Sequence, residues 1–416
     1  MDRTNQILYL VHRTPYPPNR GDRIRSFRLL ERLRAFGDVH LAFLCEEDPP
    51  RETMEKLAGL CRQVAAVRLG RTTRWAHAAG SMLQGRTATE GLFHAPALHR
   101  TLDRWARQTR FDAVVAFCSS MGQYLDRPEL ADVPAIVDLC DVDSQKWFEY
   151  AAQSRGPKRW LLGLEGRRLR RLEAELSRRA EALAVVSRPE AALYQGFCPT
   201  DRLHAIPNGV DLDYFQLRND GEGAAAPHCV FVGALDYAAN IDGVAWFCRH
   251  AWPVIHRRRP DARFQIVGSN PAPAVRALAA VPGVTVVGEV PDVRPYLADA
   301  AVVVVPLRVA RGIQNKVLEG LAMGKAVVAT PQALEGIEAE ADLHFYEATT
   351  ADQWVAATCR LFESADLRQR LGQAGRRFVE DNHHWADCLK PFDELLKGIG
   401  LVRPSPEDAV PALVGR

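Results

Sequence analysis

Short apolar runs alternating with helical stretches set the strongest limit on what this chain can fold into. In the first half, Ile7–Val11, Val39–Leu44, Val64–Leu69, Ala113–Phe117, Ala135–Leu139 and Leu183–Ser187 are rich in valine, isoleucine and leucine and bounded by polar or turn residues. That pattern predicts buried parallel strands. Between the first two, Arg23–Phe36 repeats Ile24, Phe27, Leu30 and Leu33 at helical spacing. The pattern stops at a polar, small-residue stretch over 217–228, then restarts with Cys229–Val232, Phe264–Val267, Val284–Val287, Ala301–Val305 and Ala326–Ala329. Strand–helix alternation gives a parallel sheet covered on both faces. The prediction is an α/β protein of two doubly wound, Rossmann-like domains, with the carboxyl ends of the strands facing a cleft. The domains are expected at 1–216 and 229–384, joined by a linker at 217–228. A last helix is expected within 385–400, packing back on the first domain. Residues 401–416, with three prolines and no periodicity, read as a disordered tail.

A chain of 416 residues, 47% hydrophobic and 25% charged, can bury two cores. A net charge of +2 gives no reason to expect nucleic acid as a partner. The nine cysteines are irregularly spaced and include no Cys-x-x-Cys pair, so neither a disulfide framework nor a zinc knuckle is suggested. The first apolar run is too short for a secretory leader, and no apolar stretch approaches the roughly 20 residues that span a bilayer. These features read as a cytoplasmic protein.

The most informative segment is Val302–Thr330. A buried strand ends at Pro306, a loop with Arg308 and Arg311 follows, and Gly312 is expected to open a helix carrying Asn315, Lys316 and Glu319. Ile313, Val317 and Leu321 would form its buried face, and Gly324 would end it as a C′ glycine. A helix start offers unpaired N–H donors and partial positive charge, and glycine permits close approach. With Arg308, Arg311 and Lys316 nearby, a diphosphate suits the site, while Glu319 one turn deeper can accept from sugar or ribose hydroxyls. The chemistry equally allows a solvated helix start on which Lys316 and Glu319 simply pair.

The segment Lys316-Val317-Leu318-Glu319-Gly320-Leu321-Ala322-Met323-Gly324-Lys325-Ala326-Val327-Val328 resembles the donor-site motif of group 1 (family 4) retaining glycosyltransferases. In that motif a basic residue and a glutamate precede Ala-x-Gly-x-Pro-Val-Val. Ile206-Pro207-Asn208-Gly209-Val210-Asp211 resembles the family's turn before its second domain, and Phe231-Val232-Gly233-Ala234-Leu235 its strand-to-loop glycine. Gly312-Ile313-Gln314-Asn315-Lys316, Asp141-Val142-Asp143-Ser144-Gln145-Lys146-Trp147 and the opening Pro15–Asp22 are most similar to sugar transferases associated with exosortase and exopolysaccharide loci. The resemblance implies a GT-B fold and transfer of a sugar, with retention and without a bound metal. The donor would be a UDP- or GDP-type sugar serving as co-substrate, no further cofactor being needed. The acceptor would be a glycan or a lipid-linked sugar. It also implies a donor cradle of Gly233, Gly312, Ile313, Asn315, Lys316 and Glu319. Two departures stand out. Arg311 replaces a glutamate usual eight positions before Glu319, and the loop Asp236–Gly243 lacks the family's basic residue. Arg308 and Lys316 are then the cations left to meet the diphosphate.

On the acceptor side, Pro15–Arg25 follows the first strand. Gly21, Asp22 and Arg23 suit a loop closing on phosphates or gripping an anionic acceptor, against a plain arginine-rich helix face continuing through Arg28, Arg32 and Arg34. Asp138, Asp141 and Asp143 leave a strand together; Asp141 is placed near the acceptor hydroxyl and Asp143 as a helix cap. Ser119 and Ser120 read as caps, and His383-His384 as surface residues. Arg155–Arg179, basic with Trp160 and Leu161 inside, suits either peripheral contact with an anionic membrane or a solvated helix covering the sheet. Two rivals share this scaffold: a nucleotide-sugar epimerase, and a non-catalytic sugar-binding protein.

Overall fold

A computed structural model describes residues 4–217 and 227–403. Most of the expected linker and tail, at 218–226 and 404–416, lies outside them. The chain folds as two compact units. The first runs to Ile206 and resumes at Leu389; the second is Pro207–Cys388. The chain thus changes unit earlier than the composition shift at 217 suggests, at the turn Ile206-Pro207-Asn208-Gly209.

The first unit holds a seven-stranded sheet in the order β3-β2-β1-β4-β5-β6-β7. The strands are β1 Gln6–Val11, β2 Asp38–Cys45, β3 Gln63–Arg68, β4 Ala113–Phe117, β5 Ala135–Cys140, β6 Ala182–Val185 and β7 Leu203–Ala205. Every pairing is parallel. The second unit's six strands run β10-β9-β8-β11-β12-β13, again all parallel. They are β8 His228–Val232, β9 Arg263–Val267, β10 Val284–Gly288, β11 Val302–Val305, β12 Ala326–Ala329 and β13 Tyr346–Glu347. Both sheets reverse strand order beside their first strand, β1/β4 in one and β8/β11 in the other. At such a switch point the loops leave in opposite directions and open a crevice at the carboxyl edge.

Each unit has its own core. Leu8, Leu10, Val114, Val137 and Leu183 anchor one; Phe231, Phe247, Trp252, Phe264 and Trp354 anchor the other. Inside the first unit, Arg25 on the helix Gly21–Leu33 makes a buried ion pair with Asp138 of β5, the two being 1% and 0% exposed. Its Nη2 lies 2.7 Å from Asp138 Oδ2, and its Nη1 donates to the Ile206 carbonyl at 2.9 Å. Arg25 therefore departs from the expected solvated arginine stripe, because Asp138 gives it a partner inside the protein. The returning segment joins this unit through the helix Lys390–Gly398, whose Asp393 receives hydrogen bonds from Arg32 and Arg403. Among the described residues no helix is long and apolar enough to cross a membrane.

Candidate functional site

The second unit's switch point gathers most of the expected donor residues. The loop leaving β8 begins at Gly233, whose N–H donates to Val267 O at 3.0 Å; Leu235 N–H donates to Ser269 O at 2.8 Å. The loops after β8 and β9 are therefore laced together. Their approach is so close that a Cβ on Gly268 would fall 1.7 Å from Gly233 O. Gly268 was not anticipated; a lone glycine after a strand carries little signal by itself. We expect Gly268→Ala to cost roughly 1–3 kcal/mol by forcing the two loops apart. Urea unfolding measures this, and an unchanged midpoint would refute the close approach.

A Cβ on Gly233 would meet Asn240 Nδ2 at 3.0 Å and Lys316 Cε at 3.1 Å. The missing side chain thus leaves room beside the lysine. Lys316 itself comes from the helix Asn315–Ala322. That helix starts three residues after Gly312, not at it. Gly312 has φ +63°, a left-handed conformation that cannot begin a right-handed helix, and Gln314 forms the extended N-cap. Gln314 Nε2 closes the loop onto Arg311 O at 2.9 Å, and its Oε1 accepts from Lys316 Nζ at 3.2 Å. The Lys316 ammonium lies 5.9 Å from the centre of the Phe231 ring. Burial pulls Lys316 down to about 8 against the opposing effect of Glu319, and burial pushes Glu319 up to about 7 against Lys316. Desolvation thus moves both groups toward their neutral forms, bringing their titrations to within about one pH unit of each other.

Beside Lys316, Asn315 accepts from Asn208 Nδ2 at 3.1 Å, while its own buried Nδ2 has no partner among the described residues. The Asn240 Nδ2 donates to Ala234 O at 2.7 Å, but its buried Oδ1 is likewise unmatched. Ile313 packs into the core, so only its backbone can face a ligand. The helix Ala238–His250 brings Asp242 to Arg308, whose Nε donates at 2.9 Å with a second bond from Nη2. Arg308 is therefore engaged by a carboxylate from the segment Asp236–Gly243, expected as a loop but helical from Ala238, that lacks the family's basic residue. Arg311 Nη1 lies 3.6 Å from Glu335. Gly324 ends the helix as expected, at φ +63°. His383 corrects an expectation: it is 4% exposed, and its Nδ1 lies 2.8 Å from Asn208 O, because the chain folds back against the turn that opens this unit.

In the first unit the switch point lies between β1 and β4. Gly21, Asp22 and Arg23 form the first turn of a helix instead of a loop. Asp22 accepts from Arg13 Nη1 at 3.0 Å and lies 3.6 Å from His12 Nε2. Burial raises the Asp22 carboxyl, but His12 and Arg13 outweigh it and hold the group well below the usual range. Arg23 Nη1 donates to Asn19 at 3.3 Å. Asp141 and Asp143 share Lys146, at 2.9 and 3.3 Å. Asp143 is not the helix cap: Val142 holds that position, and Asp143 accepts from Ser119 Oγ at 2.7 Å instead. His12 was missed, since a lone histidine after a strand has no distinguishing pattern.

Residues 226–364 match the family described as glycosyl transferases group 1, and residues 11–209 match the glycosyl transferase 4-like domain. The chain is a glycosyltransferase. Solved structures show the GT-B fold for it. The glycosyltransferase resembles sucrose-phosphate synthase from Thermosynechococcus elongatus with a TM-score of 0.70 and 16% identity, over 95% of this chain and 99% of that one. It resembles WaaG, a glycosyltransferase involved in lipopolysaccharide biosynthesis, with a TM-score of 0.65 and 15% identity over 93% and 99%. It also resembles HepE of Anabaena in complex with UDP-glucose, with a TM-score of 0.66 and 12% identity over 94% and 99%. No curated protein matches it in sequence.

Proposed function

We propose that this glycosyltransferase moves a sugar, with retention and without a bound metal, from a nucleoside diphosphate sugar of UDP or GDP type. The acceptor would be a glycan or a lipid-linked sugar, in exopolysaccharide or cell-surface glycan synthesis of the exosortase-associated kind. The observation carrying this reading is the half-buried Lys316 at a helix start, beside Gly233 and with Glu319 one turn deeper, each shifted by desolvation. A diphosphate brings the negative charge that restores a fully protonated Lys316. Backbone N–H groups around Gly312, Ile313 and Asn315 add donors, and the unmatched Asn315 Nδ2 adds one more. Glu319, one turn deeper, takes the ribose hydroxyls. Arg308 contributes charge only to the extent that Asp242 yields it. Asp141, held by Lys146, serves the acceptor hydroxyl, with Gly21, Asp22 and Arg23 on the same side. Catalysis is then positioning plus stabilisation of the leaving diphosphate by fixed charges and dipoles. The structures of Anabaena HepE in complex with UDP and with UDP-glucose support the choice of donor class. Trp160 and Leu161, 65% and 44% exposed on the basic helix Gly156–Arg179, support contact with an anionic membrane from the cytoplasmic side.

The test is calorimetric titration with a panel of UDP- and GDP-sugars at pH 8 in two buffers of different ionisation heat, followed by turnover with lipid-linked acceptors. Because Lys316 is about half protonated near pH 8, donor binding should take up roughly half a proton there. Lys316→Ala should abolish the uptake. Equal heats in both buffers would remove Lys316 from the diphosphate site, and turnover without an acceptor would instead indicate epimerisation.

A further inference from the structure

The carboxyl edge of the first sheet holds two cysteines and a histidine to which the proposed transfer assigns no role. Cys118 follows β4 and Cys140 ends β5, two strands that neighbour each other, with Phe117 registered against Asp138. The Cys118 N–H donates to Asp138 O at 2.7 Å, and the Cys140 N–H to Asp138 Oδ1 at 3.0 Å. Both cysteines take left-handed backbone conformations, φ +75° and +63°, shared among described non-glycine residues only by Asn270 and Asp342. Such conformations cost roughly 1–3 kcal/mol each and gather at functional positions. His12 Nε2 lies 3.9 Å from Cys118 Sγ and 3.6 Å from Asp22 Oδ2, its ring flanked by Phe93 and Phe117.

The electrostatics single out the same thiol. Cys118 is lowered by the neighbouring Cys140 thiol and then, against burial, by His12; Asp143 opposes weakly. Burial pulls His12 down, but Cys118 and Asp22 outweigh it, and His12 rises to about 9. By contrast, burial raises Cys61 and Cys248 to about 12. Cys118 and Cys140 are both of intermediate exposure, unlike the buried Cys45, Cys229, Cys248, Cys359 and Cys388.

We propose that Cys118 is a peroxide-sensitive thiol and Cys140 its resolving partner, the two closing into a reversible disulfide. The Cys118 thiolate attacks one oxygen of hydrogen peroxide. The O–O bond breaks, Cys118 becomes a sulfenic acid, and the departing hydroxide takes the proton of His12 and leaves as water. The Cys140 sulfur then attacks the sulfenic sulfur, forming the S–S bond and releasing a second water. Two thiols are oxidised and one peroxide is reduced; a dithiol reductant reverses the change.

The experiment uses the whole chain, reduced, exposed to substoichiometric hydrogen peroxide and quenched with iodoacetamide before peptide mass analysis. The Cys118–Cys140 cross-linked peptide should form roughly tenfold faster than any oxidation at the other partly exposed cysteines, Cys61 and Cys198, and vanish with dithiothreitol. In Cys140→Ser, Cys118 should accumulate as a dimedone-trapped sulfenic acid; in Cys118→Ser, Cys140 should stay reduced. Cys118 reacting no faster than Cys61 and Cys198 in the unmodified protein would overturn the proposal. So would rapid oxidation of Cys118 without the cross-link. The first measurement needs no variant, so a folding defect cannot mask it.

Discussion

Replacing Lys316 with methionine should lower sugar-transfer turnover by about 10²–10³ while leaving the ligand-free protein as stable as before, or more so. The loss follows from charge: a fixed cation aimed at a leaving group is worth about 3–4 kcal/mol in a desolvated site. The stability gain follows from the same burial. The folded protein holds Lys316 at about 8, below the ordinary value of a lysine, so folding disfavours its charged form. That penalty is complete below pH 8 and disappears as pH rises through 8 toward 10.5. A neutral methionine removes it, so the variant should lose the stability rise over that interval. Glu319, held at about 7, contributes in the opposite sense: its stabilising protonation is lost as pH climbs from about 4.5 to 7. Denaturant melts at pH 6, 8 and 10, paired with initial rates, separate the two effects. A variant that is both less stable and fully active would mean that Lys316 only supports the helix. Opposed changes in stability and activity are the mark of a site strained for its ligand.

Arg25→Ala should be the most destabilising single change in the first unit, at about 3–5 kcal/mol, because it strands Asp138 without its counter-charge in a fully buried position. Arg25→Lys should recover only part of this, since an ammonium cannot reproduce contacts from Nε to both carboxylate oxygens, at 3.1 and 3.0 Å, together with the bond from Nη1 to Ile206 O. The double substitution Arg25→Met, Asp138→Leu should regain most of the loss, as apolar replacement of buried ion pairs commonly does. Urea denaturation gives all three values. An alanine variant within 1 kcal/mol of the parent would show the pair to be worth no more than an exposed one.

Much of this fold is legible from residue order alone. Val302–Val305 and Ala326–Ala329 announce themselves because a strand buried on both faces must be apolar throughout. Leu203–Ala205 and Tyr346–Glu347 escape notice because strands of three and two residues carry too little pattern. The helix Asn315–Ala322 is found but begun too early, since Gly312 permits a helix start and a left-handed loop equally well. The candidate site is legible as residue types but not as states. Nothing near Arg308 in sequence points to Asp242, and nothing near Arg25 points to Asp138. The lowered Lys316 comes from desolvation in the folded chain, where Gly233 and Phe231, many residues away in sequence, lie beside it.

The return of the chain at Leu389 bears on how this protein is made. The second unit is one uninterrupted stretch, Pro207–Cys388, whereas the first is split by it. As the polypeptide leaves the ribosome, the second unit is complete before Asp393 has emerged to meet Arg32 and Arg403. Early in synthesis, therefore, Arg32 on the helix Gly21–Leu33 waits on the last helix for its carboxylate partner. A gene fragment ending near Ile206 would lack the helix that carries Asp393, while one encoding 207–388 would carry every residue of its unit.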